Sequence, residues 1–150
     1  MDAVTYPDSS VAAFIMENII PVRVKSDSQP LATDFNIKWT PSLITLDGKG
    51  EEHHRTVGFL DPAQLIPSLI LGQAKTAFDA DQTDVALTFL GKLLDTYAKS
   101  DAAPEAVYLQ GVCRYKSTQD PAPLKGAYEK LAATWPENEW TRRAYPYRLL

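Results

Sequence analysis

The sequence contains one cysteine, Cys113, so it can form no internal disulfide and has no thiol pair for redox cycling. It has no long apolar run. The stretch Leu65 to Leu71 is broken by Pro67, and no run approaches the roughly 20 residues that span a bilayer. The N-terminal Met1-Asp2-Ala3-Val4 offers no basic region followed by an apolar stretch, which predicts a cytoplasmic chain. There is no phosphate loop, no Gly-rich nucleotide fingerprint and no Ser-His-Asp arrangement. Asp8, Asp27 and Asp34 are spaced as caps and turn residues, and no paired acid and base calls for a catalytic explanation. A net charge of −4 argues against nucleic acid as a partner.

What remains is ordinary for a globular chain: 45% hydrophobic and 23% charged residues over 150 positions, enough for one domain or two small units sharing a core. Asp8 or Ser9 can cap a helix from Ser10 to Asn18, with Val11, Phe14, Ile15 and Ile19 on one face. Val4-Thr5-Tyr6 reads as the end of an earlier helix that Pro7 breaks. Ile20, Val22 and Val24 alternate with Pro21, Arg23 and Lys25, the pattern of a strand with one buried face. Ser28 and Pro30 open a second short helix that ends near Asn36.

Trp39-Thr40-Pro41 then runs into the apolar stretch Ser42-Leu43-Ile44, and Asp47-Gly48-Lys49-Gly50 marks a hairpin turn. Leu43–Leu46 should therefore pair antiparallel with the strand His54–Val57, which ends at Gly58. In regular β structure the adjacent His53 and His54 point to opposite faces and cannot chelate one ion. They are expected to be exposed, with no metal site and no cofactor.

The segments Tyr6-Pro7-Asp8-Ser9-Ser10-Val11, Ile20–Lys25, Trp39–Leu46 and Val57-Gly58-Phe59 occur in the order of a thioredoxin-like domain and resemble its bacterial forms. The resemblance covers residues 1 to about 72. It implies that Trp39, Thr40 and Pro41 form the cis-proline loop, whose backbone binds extended peptides as an added strand, a use that needs no cysteine. The departure is large. The family's first strand and Cys-x-x-Cys turn, expected before Met1–Tyr6, are missing, so no catalytic residue can be assigned. That strand is central in the family. Its loss predicts that its two neighbours close up, that a second chain supplies the pairing, or that Ile20–Lys25 leaves the sheet.

Asp61-Pro62-Ala63-Gln64 is a helix start with an Asp cap, after which Pro67 should kink or restart the helix on its way to Ala80. Ala86, Phe89, Leu90, Leu93, Leu94 and Tyr97 fall on one helix face, and Leu124, Ala127, Tyr128, Leu131, Ala132 and Trp135 repeat the pattern 38 residues later. Gly72 and Gly111 stand in the preceding helices. Ala103–Val112 and Trp135–Trp140 resemble parts of tetratricopeptide repeats, whose period is about 34 residues. Two such units, Gly72–Asp101 and Ala102–Asn138, with Glu139–Leu150 as a closing helix, are too few to stand alone and should pack on the first half. Tyr108, Arg114 and Tyr115 are candidate groove residues, with Tyr128 nearby. Cys113 is expected to be a buried, inert thiol.

The expected architecture is thus α/β plus all-α. An incomplete thioredoxin-like sheet (residues 1–71) packs on a tetratricopeptide-like helical solenoid (residues 72–150). The expected function is a non-catalytic protein-interaction module with a protein or peptide partner, able to dimerise through an unpaired strand. The alternative is the C-terminal part of a thiol–disulfide oxidoreductase whose Cys-x-x-Cys lies upstream of Met1. The chain as written could not catalyse that exchange.

Overall fold

The computed structural model describes residues 1–150. Seven helices and one two-stranded antiparallel sheet follow in the order α1 (Ser9–Asn18), α2 (Leu31–Asp34), β1 (Ser42–Leu46), β2 (Glu52–Val57), α3 (Pro62–Asp79), α4 (Thr83–Thr96), α5 (Ala103–Thr118), α6 (Ala122–Thr134) and α7 (Glu139–Ala144). A 3-10 turn, Tyr145–Leu149, closes the chain. No helix is long and apolar enough to cross a membrane.

The first helix forms where a cap and an apolar face coincide. The Asp8 carboxylate accepts the Ser10 and Val11 amides at the start of α1, while Val11 and Phe14 are buried. The segment before it differs from expectation. Residues 2–7 form successive turns in which the Val4, Thr5 and Tyr6 amides all donate to the Met1 carbonyl, and the buried Thr5 hydroxyl donates to the Leu60 carbonyl at 2.6 Å. The Ser28 cap is also not realised. α2 begins after Pro30 with no side-chain cap, and only the Ser28 carbonyl takes part, accepting from Ala32. Gln29–Pro30 and Thr40–Pro41 are both cis.

The expected strand Ile20–Lys25 does not form. These residues join no ladder, and Ile20 and Val22 are 90% and 80% exposed. Alternation can stabilise a strand only when a neighbour accepts its backbone and covers its apolar face. Residues 1–150 supply neither, so within this chain the segment lies outside the sheet.

The hairpin forms as expected, with Ser42 opposite Val57 and Ile44 opposite Arg55, but it carries a bulge. Thr45 pairs with His54 and Leu46 with Glu52, so His53 is an extra residue in β2. Arg55 ties the outer side of β2 to the preceding segment, donating to Glu52 and to the Phe35 carbonyl at 2.7 Å.

α3 is the central element. The Asp61 carboxylate accepts from the Gln64 amide and Pro62 opens the helix. Pro67 neither ends nor restarts it, and α3 runs unbroken to Asp79. At this depth a proline removes one bond to the carbonyl four residues back, and its fully buried ring repays that in packing. One face of α3 meets α1, β1 and β2, and another meets α4 and α5. The apolar core accordingly runs without interruption from Val11 and Phe14, through Leu65, Ile70, Leu71 and Ala74, to Leu90, Leu93, Ala106 and Cys113.

Consecutive helices pack side by side from α3 to α6. A second, smaller core joins Val107, Ala127, Leu131 and Ala144. The two aligned glycines make unlike approaches. A Cβ on Gly111 would stand 2.7 Å from the Ala127 Cβ, whereas one on Gly72 would stand 2.5 Å from the Thr45 hydroxyl of β1. Gly111 thus serves helix–helix packing, and Gly72 lets the hairpin settle on α3.

Candidate functional site

Two regions carry exposed or polar side chains in defined arrangements. The first is the end of the hairpin. Beyond the Ser42–Val57 pair, the Gly58 amide donates to the Pro41 carbonyl at 2.9 Å, and the Ser42 hydroxyl donates to the Trp39 carbonyl at 2.6 Å. These bonds bring Trp39-Thr40-Pro41 beside Val57-Gly58-Phe59. Gly58 has φ +103°, a conformation that an L side chain rarely adopts. Trp39 is 75% exposed here, with Val57 and Phe59 also largely exposed. β1 pairs only with β2, so its other backbone edge is free.

The second region lies along α3, where Ser68, Gly72, Lys75 and Asp79 repeat at helical spacing and form one stripe. With Thr45 seated against Gly72, both histidines of β2 reach this stripe. His53 Nδ1 bonds the Asp79 carboxylate at 2.7 Å, and His54 Nε2 lies 3.2 Å from the Ser68 hydroxyl. Lys75 Nζ stands 3.5 Å from His54 Nδ1 and 2.8 Å from Glu105 of α5. The expected placement of the two histidines on opposite, exposed faces is therefore incorrect. The bulge breaks the two-residue alternation, and the His53 side chain is only 11% exposed.

The two imidazoles feel opposite fields. The hydrogen bond to Asp79, helped by Asp47, raises the pKa of His53, whereas burial and then the Lys75 charge lower that of His54 to about 4. Around His53, Asp47 Oδ1 accepts the Lys49 and Glu51 amides of the turn, and Asp47 Oδ2 lies 3.6 Å from His53 Nε2. The turn amide of Glu51 is the main cause of the lowered pKa of Asp47. Asp47, Glu51 and His53 each place one donor atom within 4.8 Å of the others. The sequence marks Asp47 only as a turn residue and does not single out Glu51 or Asp79. The detectable signal was the stripe on α3 combined with a turn carrying acids on both sides.

The expected groove residues Tyr108, Arg114 and Tyr115 all lie on α5. Tyr108 packs on Trp140 and Tyr147, its hydroxyl 3.0 Å from that of Tyr147, and borders a cleft with Lys75, Asp79 and Glu105. Arg114 and Tyr115 are exposed and line neither this cleft nor the one formed by Tyr128, Arg142 and Tyr145. Cys113 is fully buried, and burial pushes its thiol up to about 11.

No family model, curated protein or solved structure matches this chain.

Proposed function

We propose that the chain is a non-catalytic protein-interaction module. In this reading an α/β unit resembling a thioredoxin-like domain, reduced to the β1–β2 hairpin of its sheet, is joined to tetratricopeptide-like helix pairs. The partner is an extended segment of another protein that adds to the free edge of β1, with Trp39 covering one of its apolar side chains. The observation that carries this reading is the free β1 edge ending in a largely exposed tryptophan. Backbone groups on such an edge supply affinity, and the apolar side chains beside it supply selectivity.

Cys113 supports the non-catalytic part. A buried thiol with a raised pKa carries almost no thiolate at neutral pH and cannot attack a disulfide. Peptides selected from a random library on the immobilised chain should be rich in alternating β-branched residues, and Trp39→Ala should weaken them at least tenfold. Selected peptides that bind Trp39→Ala as well as the wild type, or none that bind at all, would refute the proposed edge.

A further inference from the structure

We infer that Asp47, Glu51 and His53 form a binding site for a divalent transition-metal ion, with Zn²⁺ as the best-suited probe. The assignment rests on the geometry around one buried atom. His53 Nδ1 is committed to the Asp79 carboxylate at 2.7 Å, which requires the proton to sit on Nδ1. Nε2 is buried without a hydrogen-bond partner and faces Asp47 Oδ2 at 3.6 Å. In a neutral imidazole this places a lone pair against a carboxylate, with the Glu51 carboxylate alongside. A cation between them would relieve this opposition, either a proton on Nε2 or a metal ion seated between two atoms that already stand 3.6 Å apart.

The arrangement suits the ion. Donors bound tetrahedrally to Zn²⁺ lie about 3.4 Å apart, and the three donors here already lie within 4.8 Å of one another. The turn amides of Lys49 and Glu51 occupy Asp47 Oδ1, leaving Oδ2 as the free ligand atom. A metal-bound histidine commonly donates its other ring N–H to a carboxylate, and Asp79 already accepts that bond. One imidazole with two carboxylates favours Zn²⁺ or Mn²⁺ over Mg²⁺, which prefers an all-oxygen shell. The donors lie close together in the chain, with Asp47 held by the turn, His53 by the bulge and Asp79, and Glu51 exposed beside them. His54 takes no part, because Ser68 and Lys75 flank its two nitrogens.

Calorimetric titration of the full chain with Zn²⁺ at pH 7.5 should show one saturable site, with Mg²⁺ giving none. In a long-range ¹H–¹⁵N spectrum, which for two histidines contains two imidazoles, His53 Nε2 should shift while His54 stays in place. His53→Gln should abolish binding, and Asp79→Asn should weaken it by about 10- to 100-fold. Should His53→Gln misfold by circular dichroism, Glu51→Gln and Asp47→Asn at the exposed turn provide the same test, and Glu52→Gln should be silent. An absence of saturable heat and of any imidazole shift would mean that the cation is a proton alone. Binding unchanged in Asp47→Asn and Glu51→Gln would place the ion elsewhere. Either result overturns the assignment.

Discussion

Acidification from pH 7 toward pH 5 should destabilise the protein through His54, above the range in which the carboxylates titrate. Unfolded, this imidazole titrates near its ordinary 6.5; folded against α3, burial and Lys75 hold it near 4. A base with a lowered pKa binds fewer protons in the native state than in the unfolded one between those two values. The stability it contributes is therefore complete above pH 6.5 and is lost as pH falls toward 4. At 1.36 kcal/mol per pH unit the full loss is about 3 kcal/mol. The acids with lowered pKa values, Asp8, Asp47, Glu52 and Asp81, act in a lower window, losing their contribution as pH falls from 3.8 or 4.5 downward. His53 acts in the opposite sense. Its raised pKa gives stability present below 6.5 and lost as pH rises through the folded value. Urea unfolding at half-unit intervals from pH 7.5 to 4.5 should show a fall that disappears in His54→Gln and steepens in His53→Gln. A flat profile, or one unchanged by His54→Gln, would refute the burial of this imidazole against α3.

Three further outcomes test the packing. Gly72→Ala should cost about 1–3 kcal/mol in chemical denaturation, because the added methyl meets the Thr45 side chain, and Thr45→Ala in the same chain should restore part of the loss. Leu90→Ala, at a fully buried position, should cost about 2–5 kcal/mol, while Ile20→Ala, at an exposed one, should stay within about 0.5 kcal/mol. Cys113 should resist a thiol reagent in the native state and react fully in 6 M (approximately) guanidinium, and rapid native labelling would contradict its burial.

Local chemistry made much of the fold legible in the sequence. Asp8 and Asp61 cap the helices they were expected to cap, the Asp47–Gly50 turn closes the hairpin, and Ala86, Leu90, Leu93, Leu124 and Leu131 are buried as their spacing predicts. The main failures came from what local pattern does not carry. The alternation in Ile20–Lys25 is a local pattern whose outcome depends on a neighbouring strand, and none pairs with it. The histidines were misplaced because an extra residue in one strand leaves no mark in the sequence yet reverses which face each side chain takes. Asp79 could not be linked to His53 because they lie 26 positions apart and meet only once Gly72 has seated the hairpin on α3.

The claim that the free edge of β1 is a binding surface is tested most directly by amide hydrogen exchange, recorded residue by residue with and without a library-selected peptide. The account predicts that alternate amides in Ser42–Leu46, those not bonded to β2, exchange freely in the isolated chain and become protected when the peptide binds, while α5 and α6 are unchanged. Protection confined to α5 and α6, with β1 unaffected, would contradict it.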